Sequence, residues 1–195
     1  ESKTNGYRSR EVKEREPNIA AILEFFNIRL DENNIPIGTK LGPPQRLEAL
    51  TTRSTYYRVP FIHTRRAPQF DTGSRDSKQL AFHGIRWEAI YSILYHELLL
   101  ASDDEEKGHR YFAGGEGVYA FPTDDVESMA KSKSTFYLQY VDILGDGIFS
   151  SIMMELLVDQ NQKIKPTKAK TDQWITPPNY CQIEALHLHC INFAE

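Results

Sequence analysis

Three side chains have the types and the separation for chemistry on a nucleotide sugar. His83 ends the apolar run Leu80-Ala81-Phe82-His83-Gly84, and Tyr119 lies in Gly117-Val118-Tyr119-Ala120-Phe121. Glu184 sits in the closing run from Tyr180 to His189. No nucleophile accompanies them, and no second carboxylate is paired with Glu184 for glycosidase-style acid–base work. One imidazole, one phenol ring and one carboxylate suit a reaction that passes through a sugar cation. Such a site must orient a nucleotide, stack an aromatic ring and place one negative charge beside a ribose. Glu184 is the most telling of the three, because a carboxylate in an apolar strand costs energy unless it is paired or functional. The plain alternatives are a satisfied core histidine, an ordinary strand tyrosine, and a Gln182 that only hydrogen-bonds Glu184.

Other chemistries are excluded by what the letters lack. There is no GxxxxGK[ST] loop, and Gly114-Gly115-Glu116-Gly117 precedes a strand instead of opening a helix. No CxxC pair and no GxSxG elbow occur. His187 and His189 with Cys181 or Cys190 lack zinc-ligand spacing, and alternation predicts that the two histidines face away from Gln182 and Glu184.

The elements that position these residues follow from periodicity. Residues 1–16 are crowded with charge and read as a charged leader or linker. Pro17 opens a helix carrying Ile19, Ile22, Leu23, Phe26 and Leu30, closed by Asp31-Glu32-Asn33-Asn34. From Ile35 to Lys78 prolines interrupt an irregular, basic stretch, with strand fragments at Thr55–Val59 and Phe61–His63. Arg86–Leu100 gives an amphipathic helix with Trp87, Ile90, Tyr91, Ile93, Leu94 and Leu98 on one stripe. Thr123-Asp124-Asp125 caps another helix over Val126, Met129 and Ala130. Gly145-Asp146-Gly147 is a turn, Ile148–Val158 a central strand, and residues 159–179 a polar loop. Tyr180–His189 closes the chain as an alternating strand. The domain reading is 1–16, then 17–78 as helix plus irregular basic segment, then 79–195 as the unit bearing the site.

The order Phe82-His83-Gly84, helix, Gly117-Val118-Tyr119, and a late strand with Glu184 resembles the ADP-ribosyltransferase superfamily. It is similar to the His-Tyr-Glu branch shared by poly(ADP-ribose) polymerases and diphtheria-type toxins, over about residues 79–192. The resemblance implies an α+β fold of split antiparallel sheets with flanking helices. It implies NAD as substrate and ADP-ribosyl transfer to a macromolecular acceptor, protein or nucleic acid. His83 would bond the adenosine-side ribose, and the Gly84 backbone would grip the nicotinamide carboxamide. Tyr119 would stack on the nicotinamide ring, and Glu184 would bind the neighbouring ribose and stabilise the oxocarbenium. Gln182 resembles the Gln-x-Glu pairing of toxin-type members, and with Tyr180 and Trp174 it would meet the acceptor. The chain departs from the pattern at Ala120-Phe121-Pro122. It departs again at 126–134, which lacks a Ser-x-x-Tyr look; Tyr91 or Tyr137 could supply the second stacking ring.

Totals bound these readings. With 195 residues, the chain is long enough for one buried core or two small domains. A net charge of −4 is too small to announce a nucleic-acid or membrane partner. No apolar run nears the roughly 18 residues of a membrane span, and no signal peptide is visible. Beginning at Glu1, the chain reads as an excised domain or a processed product. Two cysteines on one extended strand cannot bridge each other, and the low count fits a reducing compartment, cytoplasm or nucleus. Two rival readings remain open. One is a binding or structural module on the same fold without turnover, such as a capsid surface domain or nucleotide sensor. The other is an NAD glycohydrolase with water as acceptor.

Overall fold

The computed structural model describes residues 17–25, 29–30, 36–37, 41–51, 54–62, 77–90, 93–94, 117–123, 140–163 and 173–193. Asn18 accepts the Ala21 N–H at 3.1 Å and so caps α1, Ile19–Phe25, behind Pro17. Arg29–Leu30 (β1) is strand, not the last helical turn expected there, and pairs antiparallel with Pro36–Ile37 (β2). The remaining strands are β3 Gln45–Thr51, β4 Ser54–Pro60, β5 Lys78–Gly84, β6 Val118–Pro122, β7 Ile148–Asp159, β8 Trp174–Thr176 and β9 Cys181–Asn192.

These seven form one sheet in the order β3-β4-β9-β7-β5-β6-β8, and every adjacent pair is antiparallel. Among the described residues the architecture is therefore mostly antiparallel sheet with little helix. The sheet runs across residue 78, because β4 pairs with β9 from Ser54↔Ile191 to Pro60↔Ala185. β7 is the central strand its apolar run predicts, held between β5 and β9. Its entry is fixed by the Asp142 carboxylate, which accepts from the Asp146 and Gly147 N–H groups at 3.1 and 3.0 Å.

One face of the sheet is apolar. Ala81, Ala120, Met154, Leu156, Ile183 and Leu188 point there and meet Ile22 and Leu23 of α1. After β5 the chain makes a 3₁₀ turn at Trp87–Ala89, and the indole of buried Trp87 donates to the Ser150 carbonyl at 3.0 Å. Ile90, Ile93 and Leu94 are helical, in keeping with the expected amphipathic helix; its other residues lie outside the described ones. So do residues 1–16, Tyr91, His63, the Gly114–Glu116 loop, the predicted helix at 126–134, and Tyr137.

Two expectations for the last third of the chain are corrected. Residues 159–179 are not all loop, since Trp174–Thr176 forms β8 on β6. Tyr180 belongs to a 3₁₀ turn, Pro178–Tyr180, with β9 beginning at Cys181. Among the described residues no helix is long and apolar enough to cross a membrane.

Candidate functional site

The feature that marks a site is a break between β5 and β6. Their register is Ala81↔Pro122 and Phe82↔Phe121, and it stops there. Thr123 N–H donates to the Leu80 carbonyl at 3.1 Å, so even-numbered β5 residues turn their backbone groups toward β6. Pro122, without an N–H, falls at a non-hydrogen-bonded pair, where nothing is lost. Continued by two residues, this ladder would give the Tyr119 carbonyl to the Gly84 amide. Instead, Nδ1 of His83 meets that carbonyl at 2.5 Å. The imidazole spans the gap, and the Gly84 backbone faces it beyond the last pair.

That contact also sets the histidine's chemistry. A carbonyl only accepts, so Nδ1 carries the proton and Nε2 presents a lone pair. Burial pushes the His83 pKa below its ordinary value, and the bond to the Tyr119 carbonyl offsets this only in part. His83 is therefore neutral at pH 7, a fixed acceptor for a hydroxyl rather than a cation.

The other predicted residues are less gathered. Strand alternation puts His83 with Ala81 and Met154 on the apolar face, and Tyr119 with Phe82 on the opposite one. Tyr119 is 5% exposed and opposes Ile175 on β8. Trp174 is buried in the core beneath Lys163, whose ammonium lies 3.7 Å from the ring centre. Tyr180 is half-buried. Glu184 is on β9, and β7 and β5 separate it from β6. At about 4.8 Å per strand, that is roughly 10 Å from β5 and 14 Å from β6.

Gln182 does contact Glu184: its Nε2 donates to Oε1 at 2.7 Å. The predicted facing of the histidines, however, is reversed. Glu155 pairs with Ala185 but Leu156 with Ile183, so Glu184 is an extra residue in β9, a β-bulge. The bulge resets the alternation, and Gln182, Glu184, His187 and His189 share the face opposite the core.

That face carries a buried polar layer that sequence reasoning missed. The Glu155 carboxylate accepts two bonds from Arg58, at 2.9 Å from Nε and 2.7 Å from Nη2, and one from His187 Nε2 at 2.5 Å. Burial alone would raise the Glu155 pKa, but the bonds from His187 and Arg58 outweigh it and hold it at about 2. Arg58, one of the cations in the basic stretch, is thereby committed to Glu155, and its charge also lies near Glu184. Alongside, Tyr56 stacks on His189 at 4.1 Å, and the Tyr140 hydroxyl is 2.8 Å from His189 Nδ1. Burial lowers the His189 pKa to about 4, so this ring is neutral too. The layer touches the β5–β6 break through Phe82, which opposes Glu155 in register and meets His187 edge-on at 5.5 Å. The available signal was Glu155 itself, a lone carboxylate inside Ile152–Val158.

Among the described residues no cluster of His, Cys, Asp and Glu could hold a metal ion. Cys181 and Cys190 are free thiols at opposite ends of β9. The chain matches no protein-family profile and no curated protein sequence.

Proposed function

We propose that the β5–β6 break receives the nicotinamide end of NAD, and that the protein transfers ADP-ribose from it to a macromolecular acceptor. One observation carries this reading: the His83 ring takes the Tyr119 carbonyl and leaves the Gly84 backbone facing the gap. A strand edge presenting N–H and C=O together is complementary to a primary carboxamide, which has one acceptor and two donors. His83, held neutral with its proton on Nδ1, offers Nε2 as acceptor to a ribose hydroxyl. The split-sheet ADP-ribosyltransferase architecture belongs to the same proposal, the break being where the two halves would part.

In the reaction the bond from ribose C1′ to the pyridinium nitrogen breaks, and its electron pair leaves with nicotinamide. The ribose becomes an oxocarbenium, an acceptor nucleophile bonds to C1′, and the acceptor's proton passes to solvent. A nearby carboxylate favours this transition state over the ground state. The resemblance gives that role to Glu184.

The distance of Glu184 from β6 favours a second reading, an NAD-binding module with little or no turnover. NAD titration, together with assay of free nicotinamide with and without protein and nucleic-acid acceptors, separates the two. Transfer requires nicotinamide release, and Glu184→Gln should then slow it about a hundredfold with affinity intact. A binding module releases none from either protein. His83→Ala should weaken NAD binding about tenfold, the loss of one well-placed hydrogen bond. Tyr119→Leu keeps an apolar side chain but removes the ring, and should cost about 1 kcal/mol of stacking, roughly fivefold in Kd. Wild-type protein that binds no NAD at millimolar concentration would end both readings.

A further inference from the structure

We infer that Gln173 is the side chain that meets the ribose next to the nicotinamide, which makes it a ligand-contacting residue that limits the rate of bond cleavage. The inference rests on NAD occupying the β5–β6 break. β8 is the strand hydrogen-bonded to the Tyr119 strand, in the register Val118↔Thr176, Tyr119↔Ile175 and Ala120↔Trp174. Continued one residue past the start of β8, this register would set Gln173 opposite Phe121, which itself opposes Phe82. Alternation sends Trp174 of β8 to the core, and carried back one residue it gives Gln173, which immediately precedes β8, the face that carries Tyr119 and Phe82. Gln173 is half-buried, whereas its neighbours Trp174, Ile175 and Thr176 are buried.

Gln173 is one strand spacing, about 5 Å, from β6, while Glu184 is three spacings away, about 14 Å. Among the described residues of β5, β6 and β8 and of the segments that flank them, Thr123 and Gln173 are the polar, uncharged side chains on Tyr119's face; Thr123 lies level with Leu80, whereas Gln173 lies level with the last pair, Phe82↔Phe121, and so nearer the break. Asp159, at the far end of β7, pairs with Lys78, six residues along β5 from Gly84.

An amide and a carboxylate in this position do different work. The amide hydrogen-bonds ribose hydroxyls in substrate and transition state alike, so it contributes to affinity. It brings no negative charge to the developing oxocarbenium, so it adds little to the rate. An amide in this position therefore strengthens NAD binding more than it speeds cleavage.

The test uses the whole chain and NAD itself, with NAD affinity and nicotinamide release measured for wild type, Gln173→Glu and Gln173→Ala, and thermal melting confirming that each is folded. Gln173→Glu should raise nicotinamide release at saturating NAD tenfold or more, because it brings a carboxylate closer to the sugar cation than Glu184 stands. Gln173→Ala should weaken NAD binding about tenfold and leave the melting temperature nearly unchanged. If wild type binds NAD but neither substitution moves affinity or release beyond about twofold, Gln173 does not touch the ribose and the inference fails alone. If wild type binds no NAD, the proposed function fails and the inference falls with it.

Discussion

Replacing Glu155 with alanine should destabilise the protein by about 3–5 kcal/mol, the usual cost of breaking a buried ion pair from one side. Against a total stability of about 5–15 kcal/mol for a domain, that is a large fraction. The carboxylate is 5% exposed and accepts from both Arg58 and His187. Its removal leaves the guanidinium without its fork partner and the His187 Nε2–H without an acceptor. His187 has no reserve, since it is fully buried and its Nδ1 already lacks a partner. Urea denaturation of Glu155→Ala checks the magnitude, and a shift under 1 kcal/mol would show that the layer rearranges freely. Joint replacement by Arg58→Met, Glu155→Leu and His187→Leu should recover most of the loss, because buried charge networks are often matched by well-packed apolar groups.

The same carboxylate sets the acid limit of stability. Its folded pKa of about 2 lies below the ordinary 4.5. The group therefore stabilises the fold fully above pH 4.5, and this contribution is lost as pH falls toward 2. A depression of this size corresponds to about 3 kcal/mol at neutral pH. Wild-type melting temperature should fall steeply below about pH 4.5, and Glu155→Gln should show a shallower fall over the same window.

The two strands that bear the break were legible because each is a short aromatic run bounded by glycine. β7 was legible because its stretch Ile152–Val158 is apolar but for Glu155. β8 was not, being three residues long and set among polar ones, so no period could develop. The facing of His187 and His189 was misjudged for a different reason. Period two assumes an unbroken strand, and the bulge at Glu184 is specified by pairing with β7, not by β9 alone. Arg58 looked like one of many surface cations, because its partner lies 97 residues away. The argument applied to Glu184, that a carboxylate among apolar neighbours must be paired or functional, applies with more force to Glu155. The imidazole bond to the Tyr119 carbonyl was out of reach for sequence, since it depends on where one ladder stops.

Gly117→Ala should cost about 3 kcal/mol and abolish NAD binding beyond what the lost stability explains. Gly117 enters β6 at φ +152, a conformation that L side chains rarely adopt. A methyl there would sit 2.6 Å from Ile175 Cγ2 and 3.1 Å from the Thr176 carbonyl. Both neighbours belong to β8, so relief requires β8 to move from β6 or β6 to twist. Backbone strain and overpacking each cost about 1–3 kcal/mol. Any such shift carries the Tyr119 carbonyl away from His83 and Gln173 away from the break. Gly145→Ala supplies the control. It has φ +67 but nothing within 4 Å of the added methyl, so only strain of about 1 kcal/mol is expected, with NAD affinity unchanged. Differential scanning calorimetry of both variants, paired with NAD titration, separates the two costs. Equal losses in both variants would mean that the β6–β8 contact does not shape the opening.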